Sequence, residues 1–115
     1  MESGSTSALT IEAVRLALGA SGLRQRVIAD NIANVNSPDH VRMRVVFEER
    51  LAQAMASANL DGVQAEMEPD FTAGRVQLDE EMAQLSANSV RYHALSKGLS
   101  RYLSIASLIA SSSRG

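Results

Sequence analysis

Residues 23–47, LRQRVIADNIANVNSPDHVRMRVVF, decide how this chain folds. An amphipathic helix runs into the stretch and has to stop inside it, at Asn34-Val35-Asn36-Ser37-Pro38. Proline lacks an amide donor and drives the residue before it out of helical geometry, which makes Ser37 an extended position. Asn34, Asn36 and Ser37 carry short polar side chains that can bond back to nearby backbone and hold a turn. Read alone, this is a helix ending in a turn. Beyond it, Arg42-Met43-Arg44-Val45-Val46-Phe47 alternates polar and apolar for part of its length, which fits a short strand or an extended arm.

Upstream of the turn, a stripe starts at Leu9 and continues through Ala13, Leu16, Ala20, Leu23 and Val27. Alternating steps of four and three are the spacing of a helix seam presented to a partner helix. Ile11, Val14, Leu18, Ile28 and Ile32 widen the apolar surface, so the helix has neighbours on more than one side. Gly19 and Gly22 lie within it, each costing about 1 kcal/mol relative to alanine in an isolated helix. They read as positions of close backbone approach, with plain local weakness as the competing view. Residues 1–8 are rich in Ser, Gly and Thr and are expected to be a mobile tail, which places the N-terminal helix over 9–35.

Downstream, Phe47, Leu51 and Met55 stand four apart and predict a short helix over 47–56. Residues 57–75 combine Gly62, Pro69 and Gly74 with many acids and no period, which predicts an irregular surface loop with room for a brief strand pair. Asp79 reads as an N-cap, and Glu80 and Glu81 suit the positive end of a helix. Leu78, Leu85, Tyr92, Leu99 and Ala106 then recur every seven residues, with Leu95, Tyr102 and Ile109 as a companion row. This C-terminal helix is expected over 78–111, released by Ser111-Ser112-Ser113. The fold class is therefore mainly α. Two long terminal helices pair as a coiled-coil-like hairpin, and the turn, short helix and acidic loop of 36–77 connect them.

A chain of 115 residues holds one unit. Its core must come from Leu, Ile, Val and Met, because the aromatics are only Phe47, Phe71, Tyr92 and Tyr102. A helix pair of this kind leaves part of each apolar face uncovered, and other copies supply the simplest cover. Charge is unevenly spread. Residues 57–81 carry seven acids against Arg75, whereas residues 82–115 carry Arg91, Lys97, Arg101 and Arg114 with no acid. Two readings fit: complementarity between copies or with partners, or a solvated loop followed by cations suited to a helix C-terminus.

The chemistry the sequence excludes is broad. With no cysteine there is no disulfide, thiolate metal site or cysteine nucleophile. His40 and His93 are far apart, Asp39-His40 lacks the spacing of a metal or proton-relay pair, and Glu80-Glu81 point in different directions on a helix. No glycine-rich phosphate loop occurs. Arg24, Arg26, Arg42 and Arg44 cluster loosely, but no aromatics interleave with them and the net charge is −2, which argues against nucleic acid. The expectation is no enzyme, no cofactor, no metal and no small-molecule substrate. The opening MESGSTSALTIEAV has neither a basic leader nor a continuous apolar run and predicts no secretory signal peptide.

Two runs resemble a known family. Asn31-Ile32-Ala33-Asn34, then Asn36-Ser37-Pro38, resembles the N-I-A-N-x-x-T-P-G-Y segment of bacterial flagellar rod and hook proteins, with Ser37 for threonine and Asp39-His40 in place of Gly-Tyr. Val76-Gln77-Leu78-Asp79-Glu80-Glu81-Met82-Ala83-Gln84-Leu85, then Asn88 and Tyr92, is similar to a V-x-L-x-x-E-M-x-x-L-x-x-N-x-x-x-Y run of proximal rod subunits in that family. One motif falls on each terminal helix, in the family's order. The resemblance implies a structural subunit that stacks into a helical tube, transmits torque and lines the export channel. It implies passage through the flagellar type III export apparatus without a cleaved signal, assembly in the periplasm, and contacts with its own copies, other rod subunits and basal-body base components. Leu16, Leu23, Val27, Leu85, Tyr92 and Leu99 would form the assembly seam, and Asn31, Asn34, Asn36, Ser37 and Pro38 the turn. A soluble coiled-coil adaptor or export chaperone, forming a discrete dimer or bundle, is the alternative that the seams alone also fit.

Overall fold

Helix, strand, helix, strand and helix follow one another as α1 (Glu2–Ala33), β1 (Met43–Val46), α2 (Glu48–Ala56), β2 (Glu66–Pro69) and α3 (Leu78–Arg114). This computed structural model describes residues 2–72 and 74–114, with side chains over 8–72 and 74–113. The long terminal helices pack against each other, with the short helix and a two-stranded sheet near one end.

The turn at the proline forms as its residues dictate. Asn34 N–H bonds back to Asp30 O at 3.1 Å, Val35 N–H to Ile32 O at 3.2 Å, and Ser37 N–H to Asn34 O at 2.9 Å. Asn34 Nδ2 adds a bond to Asp30 O at 2.9 Å, satisfying a carbonyl at the helix end. Asn36, Ser37 and Pro38 are exposed. α1 ends at Ala33, near the expected 35, and begins at Glu2 rather than Leu9. The tail expected over 1–8 lies at Met1 outside the described residues. From Glu2 on the backbone is helical, since extending a formed helix adds one hydrogen bond per residue fixed.

At the other end, α3 runs to Arg114 instead of stopping near residue 111. Serine tolerates this because its hydroxyl can bond a carbonyl one turn back, and Ser113 Oγ donates to Ala110 O at 3.0 Å. α3 also begins at Leu78, so Asp79 is already inside the helix and does not cap it. Gln77 occupies the boundary, where its carbonyl accepts Glu81 N–H at 2.9 Å.

The stretch 57–75 differs most from expectation. Its strand does not pair within the loop. β2 instead pairs antiparallel with β1, in the register Met43↔Pro69, Arg44↔Glu68, Val45↔Met67 and Val46↔Glu66. Asp70 N–H donates to Arg42 O at 2.8 Å, which sets the alternation so that Met67 and Pro69 face away from β1. The proline's missing N–H thus falls on the open edge, where no ladder bond is lost.

The core is small: Ala20, Val27, Ile28, Phe47 and Ala54 are the buried apolar residues among those described. The molecule measures 63 × 27 × 15 Å with a radius of gyration of 17.8 Å, against about 13 Å for a compact domain of this length. Its accessible surface is 7868 Å², whereas a compact monomer of this mass exposes about 6,100 Å². Tyr102, Leu103, Ile105, Leu108 and Ile109 on the distal half of α3 are all exposed. Among the described residues, no helix is long and apolar enough to cross a membrane. Gly19 and Gly22 of α1 do not serve a contact inside the chain among the described residues, because a Cβ at Gly19 would meet nothing within 4 Å and one at Gly22 only Arg26 Nη1 at 3.9 Å.

α2 ends in a two-bond cap, with Ala58 N–H on Met55 O at 3.1 Å and Asn59 N–H on Ala54 O at 3.0 Å. That motif needs a left-handed residue, and Ala58 fills it at φ 54°. An alanine there is strained by about 1–2 kcal/mol. Ala58→Gly is expected to stabilise the chain by about 0.5–1 kcal/mol after glycine's own entropic cost. Urea unfolding measures it, and an unchanged or lower midpoint would contradict the strain.

Candidate functional site, a buried polar junction between the two motifs

The most deeply buried large side chains are polar: Glu81, Asn31, Asn88 and Ser21, each no more than 1% exposed. Burying such groups is unfavourable unless they are hydrogen-bonded, so where their bonds go identifies what the site does.

Asn31, one turn before the end of α1, meets β1 edge-on. Its Nδ2 donates to Met43 O at 2.9 Å, and its Oδ1 accepts Met43 N–H at 3.0 Å. The amide acts as one more strand residue, satisfying the backbone pair that β2 does not reach. The same Nδ2 contacts Glu81 Oε1 at 3.3 Å, across 50 residues of sequence. Since Nδ2 serves two acceptors, Oδ1 is the acceptor side of the amide, and His40 Nε2 at 3.2 Å carries the proton it donates there. The histidine of the Asp39-His40 departure therefore belongs to this junction.

Glu81, in the first turn of α3, is closed off by Arg42. Arg42 Nε donates to Glu81 Oε2 at 2.5 Å, Nη1 to Asp70 Oδ2 at 2.9 Å and Nη2 to Gln84 Oε1 at 3.0 Å. One guanidinium thus ties β1 to α3 and to the residue after β2, matching its planar fork to two carboxylates. Burial alone pulls the Arg42 pKa down, but the bond and charge of Glu81, then those of Asp70, outweigh it and hold it above the ordinary arginine value. Asp70 is held below the usual carboxylate value, first by the Thr72 hydroxyl and then by the Thr72 N–H and by Arg42, against the opposing effect of burial.

A second polar contact lies two turns along the helix pair. Asn88 Nδ2 donates to Ser21 O at 2.8 Å and to Gln25 Oε1 at 2.7 Å, which sets the register of α3 on α1. Asn88 Oδ1 is buried without a hydrogen-bond partner. Outside the junction, Arg24 pairs with Glu48 at 2.7 Å and Arg50 with Glu66 at 2.8 Å, bracing α2 against α1 and β2. These are exposed ion pairs and contribute little individually.

The residues expected from the sequence fall into two groups. Of the turn set, Asn31 is the centre of the junction and Asn34 caps α1, while Asn36, Ser37 and Pro38 lie outside it. Of the seam set, Val27 is buried; Leu16, Leu23, Leu85 and Leu99 are half-buried; and Tyr92 is 42% exposed. Sequence reading missed Arg42, Asp70, Ser21 and the bonding roles of Glu81, Gln25 and Asn88. Glu81 and Asn88 stand in the stretches that resemble the family, which was the available signal. Asp70 had none, since its partner is set by the strand register. Among the described residues, no group of three or more His, Asp or Glu could hold a metal ion.

No family model matches the chain. Two curated relatives do. The flagellar basal body rod protein FlgB of Bacillus subtilis (strain 168) is 27% identical over 106 residues, covering 75% of this chain and 81% of the relative. FlgB of Borrelia hermsii is 43% identical over 47 residues, covering 41% of this chain and 35% of that one. Its curated homologues are flagellar rod proteins. Beside this FlgB likeness the junction reads as a structural clamp. Its carboxylates are bonded to Arg42, and its amides to backbone and to Glu81 and Gln25.

Asn31→Ala would leave Met43 N–H, Met43 O and one Glu81 oxygen without this partner. The expected loss is about 2–3 kcal/mol of unfolding free energy, read by urea denaturation; a change under about 0.5 kcal/mol would contradict the clamp. Asp70 gives a pH dependence of known sign. Its folded pKa lies below the unfolded value of about 3.9, so its contribution is present above that pH and is lost as pH falls through the folded pKa. The stability gap between wild type and Asp70→Asn should be constant from pH 5 to 7 and narrow below about pH 4. A gap that widens in acid would refute this.

Proposed function

We propose that the chain is a structural subunit of the flagellar proximal rod, stacking with its own copies and with other rod subunits into a helical tube that transmits torque and lines the export channel. The observation that carries this reading is the bond between the two motifs. Asn31 and Glu81, which the family resemblance marks on separate helices, meet in the interior at 3.3 Å and are locked by Arg42. The homology to FlgB suggests a structural rod component, and the clamp supplies what such a part needs. A subunit under torsional load must not let its helices slide, and a polar cluster with fixed partners resists slippage better than a uniformly apolar seam.

The uncovered surface supports the same reading. About 1,800 Å² more than a compact monomer would expose lies open to cover by neighbours, more than the roughly 800 Å² that one partner contributes to a standard interface. In the assembled rod, Leu16, Leu23, Val27, Leu85, Tyr92 and Leu99 form the seam within and between subunits. The subunit reaches the periplasm through the flagellar export apparatus without a cleaved signal and contacts the basal-body base components there.

Tyr92→Asp tests the seam without touching the clamp. The side chain is partly exposed in the single chain, so helicity by circular dichroism should be unchanged, whereas the charge would be buried unpaired on assembly. The variant is expected to be lost from purified basal bodies and to abolish swimming, while the wild-type chain is found between the base and the rest of the rod. Absence of the wild-type chain from basal bodies, with a discrete dimer in solution, would favour the adaptor or export-chaperone alternative.

A further inference from the structure

Phe71 is 78% exposed, more than any other large apolar side chain among those described. It is nevertheless held firmly. On one side, Asp70 is tied by its N–H to Arg42 O at 2.8 Å and by its carboxylate to Arg42 Nη1 at 2.9 Å. On the other, Thr72 N–H and Oγ1 bond to Asp70 Oδ1 at 3.2 and 2.8 Å. Through Arg42 the tip is braced against the buried Glu81. An exposed aromatic on a backbone tethered at the residues either side needs less ordering of the main chain on docking, which favours a binding anchor.

The far half of α3 offers a matching surface. Ser100, Leu103, Ser104 and Ser107 are spaced i, i+3, i+4, i+7, and so are Ser104, Ser107, Leu108 and Ser111. Four residues in that pattern are the hole that accepts a knob in helix packing, and serine floors leave room for a large one. These six residues line one shallow depression, with Leu103 and Leu108 exposed at its sides. Charges around tip and hole are opposite. At the tip's end of the molecule exposed Asp79 and Glu80 outweigh exposed Arg75, while Lys97 and Arg101 flank the hole on α3, which carries no acid from 82 to 115.

We propose that Phe71 of one copy seats in the serine-floored hole of α3 of a second copy, guided by the acidic tip and the basic helix. The proposal rests on the rod reading and specifies one of its contacts. Tip and hole are different surfaces at different ends of the chain, so the contact is heterologous. After one contact the pair still has one free hole and one free tip, on different copies, so the series does not close at two.

Sedimentation velocity of the purified full-length chain over a concentration series tests it. Phe71→Ala is expected to weaken self-association at least tenfold with unchanged helicity. Ser104→Arg, which fills the edge shared by both holes without adding apolar surface, should do the same. Mixed together, the two variants should form a heterodimer and stop there, because one retains only the hole and the other only the tip. Self-association should also weaken as salt rises. Wild-type association that neither substitution weakens, or a wild-type chain that stays monomeric, overturns the contact. The rod reading is judged separately, by whether the wild-type chain is recovered in basal bodies.

Discussion

One buried carboxylate organises this molecule. Glu81 leaves solvent only because Arg42 and Asn31 meet it, and each of these partners also fixes something else. Asn31 closes the edge of β1, and Arg42 holds β1 to Asp70 beyond β2. Removing a carboxylate from water is costly, and the charge-assisted bonds that offset the cost must be geometrically accurate. The ends of the two long helices therefore have to arrive in one arrangement. A pair of helices whose buried apolar residues, among those described, are Ala20, Val27 and Ile28 of α1 would otherwise have little to choose between neighbouring registers.

This explains a division of labour along the long axis. At the clamped end, specificity comes from polar contacts, sheet pairing and the exposed ion pairs around α2. Toward the far end of α3 the side chains are Tyr102, Leu103, Ile105, Leu108 and Ile109, exposed and without comparable polar constraint. The first end defines the subunit. The second leaves exposed surface that the proposed assembly would cover, adding stability the chain lacks alone.

The helices were legible because their signal is periodic. Seven-residue spacing from Leu78 to Ala106 and the proline after Asn34-Val35-Asn36-Ser37 place α3 and the end of α1 within a few residues. The likeness of Asn31–Pro38 and Val76–Tyr92 to rod proteins agrees with the FlgB relatives. What could not be read was pairing between distant residues. Glu81 looked like a charge suited to a helix start, which it is by position, but its burial depends on Arg42, 39 residues away. Residues 57–75 were given room for a brief strand pair, but not the pairing of β2 with β1, because that register is set by β1 and not by the stretch's own period. The helix ends at Glu2 and Arg114 were misjudged since Ser and Gly are weak formers that an already nucleated helix can still absorb.

The placement of Pro69 has a consequence for how copies can be crowded together. A two-stranded ribbon offers its outer strand to any extended segment that comes near, and dense packing of identical chains multiplies such encounters. Here the outward positions of β2 are Met67 and Pro69, so the rim presents a single amide donor. Ribbon-to-ribbon growth into a fibril is thereby discouraged, and identical molecules at high local density are left to join through their helices and side chains.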